Sequence, residues 1–314
     1  MSATLALCIP AYNAEAHLPR LFASMAAQTE PFDEVWLYDD ASTDGTAALA
    51  ASLGARVVRG TVNVGCSGGK NALLGRVASA WVHFHDADDE LLPEFVARAK
   101  ARIREGGFDA LLMDYEQVDG ETGTLMSRSD FGASPLLADP VRYMLRETVN
   151  NGGVYRTGLL HETGGFDLEP EVRFNEDRAY HLRLALAGAR FAVEPYVGCR
   201  FHFSRGSMSS ANQARCLRSN QAITRRFAEA HPGRCVEDVA AVSWRNAGGL
   251  AAYLEWADAD AAVDLAVRCA GRVPREESRA FRIACALLGG RRAIRLREAW
   301  IRRVKSQYRV GYPR

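Results

Sequence analysis

Over roughly the first 110 residues, short apolar runs alternate with stretches of helical periodicity. Leu5–Ile9, Val35–Asp39, Ala55–Val58 and Trp81–His85 are brief, apolar and bounded by turn residues, which predicts four strands. Leu18, Leu21, Phe22 and Met25 recur at helical spacing, so a helix begins near Pro19, where proline is tolerated. Thr43–Leu53 opens on a Ser/Thr/Asp capping cluster, and Ser67–Ala80 and Pro93–Arg104 follow, the latter with proline in its first turn. Such alternation predicts an α/β fold, a mostly parallel sheet flanked by helices. Ligands of such sheets bind beyond the carboxyl ends of the strands. The segments to watch are therefore Pro10–Asn13, Asp39–Asp40 and Asp86–Asp89.

The pattern then changes. Ala110–Val118 reads as a strand, and Asn150–Tyr155 and Arg190–Phe203 as strands flanking a helix over Glu176–Ala187. Beyond residue 206 the strand signal fades, and Ala-, Arg- and Leu-rich stretches predict helices near 209–230, 236–256, 259–270, 275–288 and 291–306. This predicts two domains, 1–208 and an α-helical 209–314 with a basic tail.

Composition narrows the class. The chain has 314 residues, 48% hydrophobic and 25% charged, as in ordinary globular proteins and unlike disordered, collagenous or disulfide-scaffold chains. No apolar run approaches the ~18 residues of a membrane helix. The first residues lack a basic leader and a cleavage site and read as the first strand. Seven scattered cysteines without a CxxC pair predict reduced thiols in a cytoplasmic protein and argue against a structural zinc site. Net charge is only +1, yet residues 291–314 carry nine Lys/Arg against one acid, Glu298, leaving the rest of the chain at −7.

Each candidate motif has two readings. Asp86-Ala87-Asp88-Asp89 follows an apolar run and is either a solvated acidic turn or a seat for a hard cation on a diphosphate. Asp39-Asp40-Ala41-Ser42-Thr43-Asp44 caps a helix, although capping does not need two acids at a strand end, where a carboxylate can accept from a base N–H or a ribose hydroxyl. Val64-Gly65-Cys66-Ser67-Gly68-Gly69-Lys70-Asn71 departs from a Walker A loop at Val64 and Asn71, and no dinucleotide-type glycine fingerprint is present; Lys70 could still meet a phosphate. Asn175-Glu176-Asp177 is explained by a helix start, or by Asp177 as a general base. His202, with Ser207 and Ser209 after it, is structural or completes a metal shell.

In order, Ile9-Pro10-Ala11-Tyr12-Asn13, Gln28-Thr29, Asp39–Thr46, Asn63-Val64-Gly65, Asp86–Asp89 with Pro93, Gly164–Asp167, Asn175–Asp177 and His202 with Ser207 and Ser209 resemble a family 2 glycosyltransferase of the GT-A fold, over about residues 4–210. The resemblance implies an inverting, metal-dependent transfer of a sugar from a nucleotide-diphosphate sugar, UDP first, to a hydroxyl of a glycan, lipid-linked or small-molecule acceptor. It places Pro10, Tyr12, Asn13, Asp39, Asp40, Lys70, Asp86, Ala87, Asp88 and Glu176 against the donor. It makes Asp88 and His202 ligands of Mn²⁺ or Mg²⁺, and Asp177 the base. Lys70 stands where this family more often has arginine, and Asn150–Gly153 leaves the acceptor open.

Two rivals are a sugar-phosphate nucleotidyltransferase, whose glycine-rich signature after the first strand is missing, and a non-catalytic nucleotide-sugar or carbohydrate-binding module. The basic tail interleaves Ile294, Leu296, Trp300, Ile301 and Val304 with cations. It reads as a solvated helix or as a peripheral contact with the inner face of an anionic membrane. The acidic body argues against nucleic acid.

Overall fold

The computed structural model describes residues 3–150, 152–274 and 277–304. Two compact units emerge. One takes the chain up to Met144, Thr148–Leu168 and Glu176–Ser207; the other takes Leu145–Glu147, Glu169–Asn175 and the chain from Met208 onward.

The first unit is built on a nine-stranded sheet. Its strands are β1 (Leu5–Ala11), β2 (Glu34–Asp39), β3 (Arg56–Arg59), β4 (Trp81–Phe84), β5 (Glu90–Leu91), β6 (Ala110–Asp119), β7 (Leu125–Arg128), β8 (Gly153–Arg156) and β9 (Phe191–Phe203). The order is β3-β2-β1-β4-β8-β6-β9-β5, with β7 on β6. The first four strands pair in parallel, β8 runs antiparallel to β4 and β6, and β6 pairs in parallel with β9. Nearly all of β1 is buried, as expected of a central strand with helices on both faces. Those helices include α1 (Leu18–Ala26), α2 (Thr46–Ser52), α3 (Gly65–Leu74) and α4 (Phe95–Glu105). Leu5, Leu7 and Ile9 of β1, Leu111 and Met113 of β6, Leu21 of α1 and Phe95 of α4 belong to one buried core.

Several bounds differ from the sequence reading for physical reasons. α2 starts at Thr46 rather than Thr43, because the capping residues tie loops together instead. Asn13 Oδ1 accepts from the Thr43 N–H at 2.8 Å, and Glu15 Oε2 accepts from the Gly45 N–H at 2.7 Å. α3 stops at Leu74, and the Glu34 carboxylate then holds the Ala78 and Ser79 N–H groups at the entry to β4. The two-residue β5, the exposed β7 and the short helices α5 (Pro140–Arg146) and α6 (Thr157–Glu162) lack a readable period. α7 (Glu176–Leu186) forms where its acids sit in a first helical turn.

The second unit is helical: α8 (Met208–Ala211), α9 (Gln213–Ala230), α10 (Val236–Ala252), α11 (Trp256–Ala270), α12 (Arg279–Leu288) and α13 (Gly290–Val304). Trp244, Leu250, Val263, Phe281 and Ile294 form its core. The basic tail is partly an internal device. Arg291 pairs with Asp264, Arg295 with Asp260 at 2.7 Å, Arg297 with Glu277 and Arg302 with Glu298. Lys305, Arg309 and Arg314 lie outside the described residues, as do residues 275 and 276 of the fourth expected helix and the last two of the fifth. No helix among the described residues is long and apolar enough to cross a membrane. None of the seven cysteines pairs in a disulfide.

Candidate active site

At the end of β1 the chain turns through Asn13, which adopts a left-handed conformation (φ 49°). Asn13 N–H donates to Ser42 Oγ at 2.9 Å while its side chain receives Thr43, so the loops after β1 and β2 form one rim. Tyr12 projects from this rim, half exposed, next to the partly buried Pro10. Asp39 is buried and accepts from Ser42 N and Arg59 Nε. Sequence reasoning places Asp40 on a base or ribose. In the structure both of its carboxylate oxygens already receive backbone donors, Val64 N–H at 2.7 Å and Gly65 N–H at 2.8 Å. Asp40 thus caps α3 from a neighbouring loop.

Lys70 departs most from its expected role at a phosphate. The glycine-rich turn folds as the first part of α3, and Lys70 is fully buried within it. Its ammonium lies 3.0 Å from Asp177 Oδ1 and 3.7 Å from Glu176 Oε1, and 4.9 Å from the Phe166 ring centre. Burial alone would favour the neutral amine, but Asp177, Asp86 and Glu176 outweigh it and hold the ammonium charged. Burial raises Glu176, with Lys70 opposing. Asn71 beside it grips the next segment, donating to Phe166 O and accepting from Phe166 N–H. A side chain at Gly165 (φ 67°) would collide with Asn71, so glycine is required there.

Beyond β4 lie Asp86, Ala87, Asp88 and Asp89. Burial pushes Asp86 up to about 7, with Asp177, Asp88 and Glu176 adding to the rise and Lys70 opposing it. Asp89 is also raised, by burial first and then by Asp88 and Asp86. Arg20 from α1 clasps the Asp88 carbonyl. Among the described residues the Asp88 carboxylate makes no hydrogen bond or ion pair. His202, on β9, reaches this turn through its backbone, its N–H donating to Asp89 at 2.8 Å. Its ring Nε2 lies 2.9 Å from Glu90 Oε2. Ser207 closes a turn onto Ser204 O, and Ser209 falls in α8.

Asp86, Glu176, Asp177 and Lys70 therefore form one charged cluster, with Asp88 joined to it through Asp86, although they come from the turn after β4, α7 and α3. Sequence reasoning missed Arg20, Cys66, which hydrogen-bonds Glu176, and Phe166. Only Phe166 carried a signal, lying directly after the paired Gly164-Gly165.

The chain itself has relatives. The model of glycosyl transferase family 2 matches residues 6–166, just over half of the chain. The chain belongs to glycosyltransferase family 2. It is accordingly a nucleotide-sugar glycosyltransferase, on an α/β fold of the GT-A type. It is 26% identical to the succinoglycan biosynthesis protein ExoO of Rhizobium meliloti over 70% of this chain and 68% of that protein. It is 30% identical to poly(ribitol-phosphate) beta-N-acetylglucosaminyltransferase TarS of Staphylococcus aureus over 59% of this chain, but spans only 33% of TarS. Its fold matches the crystal structure of TarS 1–349 in complex with UDP-GlcNAc with a TM-score of 0.71, at 21% identity, covering 98% of this chain and 92% of that one. It matches the Pyrobaculum calidifontis mannosyltransferase PcManGT in complex with GDP-Man and Mn²⁺ with a TM-score of 0.56, at 22% identity, covering 98% and 85%.

Proposed function

We propose that this family 2 enzyme is an inverting, cation-dependent glycosyltransferase that moves a sugar from a UDP-sugar to an acceptor hydroxyl. The observation that carries the reading is electrostatic. Asp86, just beyond β4, is raised by both Asp88 and Asp177, and Asp177 ion-pairs with Lys70 at 3.0 Å, which supports one site for the strand-end acids and the acids of α7. Structural neighbours of the same fold hold UDP-GlcNAc, or GDP-Man with Mn²⁺.

The residues fit a hard divalent cation. Asp88 offers a carboxylate with no other partner among the described residues, beside two acids whose mutual repulsion a cation would relieve. Asp88 would hold the ion on the diphosphate, with His202 Nδ1 as the ring atom left over from Glu90. When bound, the ion supplies charge stabilisation to the departing diphosphate. The chain does the rest. Tyr12, Pro10 and the Asn13 rim seat the nucleotide, and Ala87, next to Asp86, lets the sugar approach closely. Asp177, with Oδ1 engaged by Lys70, takes the acceptor proton on its other oxygen. The acceptor oxygen attacks the anomeric carbon from the face opposite the diphosphate, the carbon–phosphate-oxygen bond breaks, and UDP leaves with the bonding pair.

The acceptor is a glycan or lipid-linked glycan presented at an anionic bilayer. On α13, Leu296, Trp300 and Val304 form an exposed stripe at i, i+4 and i+8, within a helix of net positive charge. Calorimetry of UDP and UDP-sugars with and without Mn²⁺ tests the donor reading; affinity indifferent to the ion overturns its metal part. Flotation with anionic vesicles tests the surface, and equal binding by Trp300→Glu overturns it.

A further inference from the structure

Directly behind the Asp86–Asp89 turn lies a group of side chains that the transfer reaction does not use. His83 belongs to β4, His85 immediately follows that strand, and Cys199 sits on β9; all three are fully buried. One ring nitrogen from each histidine and Sγ of Cys199 lie within 4.8 Å of one another. Too distant in sequence to read as a motif, they meet because β5 pairs with β9 at Leu91 and Cys199, folding the chain after β4 back onto that strand.

We propose that His83, His85 and Cys199 form a binding site for a borderline-soft divalent cation of the zinc class, separate from the hard cation carried by the nucleotide sugar. Two observations bear on it. His83 Nδ1 lies 2.7 Å from the Gly153 carbonyl and must donate to it, which fixes the tautomer and leaves the Nε2 lone pair facing the cluster. Imidazoles that ligate metals are commonly oriented by such a bond to a backbone carbonyl. His83 Nε2 and His85 Nδ1 approach to 3.1 Å, near the separation of two nitrogens on a tetrahedral ion with bonds of about 2.0 Å.

The donor set decides the metal. Two imidazoles and a thiol suit Zn²⁺ and disfavour Mg²⁺ or Mn²⁺, which prefer carboxylates and water. Binding forms two Zn–N bonds and one Zn–S bond and releases the proton of the Cys199 thiol to solvent. The site would staple β4 to β9 and so fix the turn that bears Asp86, Asp88 and Asp89. Because it is shielded from solvent, it would be loaded as the chain folds.

The test uses the full chain purified without chelator, and the same chain produced in medium in which Co²⁺ replaces zinc. Elemental analysis is expected to find about one zinc per chain. The cobalt form is expected to show a thiolate-to-cobalt charge-transfer band and the intense visible bands of a low-coordinate ion. Cys199→Ser should abolish the charge-transfer band, and His85→Gln should lower metal content several-fold with the circular dichroism spectrum retained. Cys216→Ser and Asp88→Ala should leave the content unchanged, which separates this site from the donor-bound cation. X-ray absorption on the wild-type chain should show mixed nitrogen and sulfur ligation even if a variant fails to fold. Wild-type protein without zinc or a cobalt band, a band that survives Cys199→Ser, or all-oxygen ligation overturns the proposal.

Discussion

Lys70 Nζ and Asp177 Oδ1 lie 3.0 Å apart, joining residues 107 positions apart in the chain. The glycine-rich segment that resembles a phosphate loop thus delivers its lysine to the acid at the head of α7. That pairing orients one carboxylate oxygen and leaves the other for the proton abstraction proposed above. Replacing Asp177 by asparagine should leave UDP affinity within a few-fold of wild type while turnover falls by about 10²–10⁴. Turnover near wild type removes Asp177 from the base role.

Lys70 is argued to act through Asp177, so its substitution should follow a different pattern. Lys70→Met should reduce kcat by roughly 10–10³ with little change in donor KM, and Lys70→Arg should recover part of the loss. A rise in donor KM at constant kcat would instead return Lys70 to the phosphates.

Asp88→Ala should abolish the Mn²⁺-dependent part of UDP binding and leave thermal stability nearly unchanged, since its carboxylate holds no partner among the described residues. Calorimetry with and without Mn²⁺ reads the first, and a melting curve the second.

Asp40→Ala should lower stability by about 1–2 kcal/mol, the cost of losing a helix cap, because the Val64 and Gly65 N–H groups lose their acceptor. Urea unfolding measures it. A base-contacting residue with no structural role would lower donor affinity with no shift in the unfolding midpoint.

Asp86 makes stability depend on pH. Its folded pKa is raised to about 7 from 3.8, so the folded state holds the extra proton between these values. The penalty for ionising it is absent below about pH 4, grows between 4 and 7, and is complete above 7. In EDTA and without donor, Asp86→Asn should therefore stabilise the protein more at pH 8 than at pH 5, by urea midpoint. An equal gain at both values would show that Asp86 titrates normally.

Much of this was readable in the chain. Strands β1, β2 and β4 follow from apolar runs bounded by turn residues, and the strand-end rule pointed to Asp86 and Asp88. Sequence could not show that Asp40 spends both oxygens on α3, because backbone donors leave no residue signature. Nor could it show where Lys70 points, since a lysine among glycines suits an exposed phosphate loop and a buried helix alike. Arg20 and Cys66 were invisible because single side chains at helical positions carry no period. The basic tail misled in degree, since the acids that pair with four of its arginines lie in other segments or, as Glu298, one turn away.

Phe166 touches three elements at once. Its ring meets Phe84 edge-on at 5.0 Å, stacks on Tyr180 at 4.2 Å and receives the Lys70 ammonium. Phe84 stands two residues before Asp86, and Tyr180 three residues after Asp177. A single aromatic plate is therefore the common mount for the strand that leads to Asp86, the helix that carries Asp177 and the lysine between them. Displacing any one of the three would disturb the other two, so hydrocarbon packing as well as the ion pairs of Lys70 bears on where the opposing carboxylates stand.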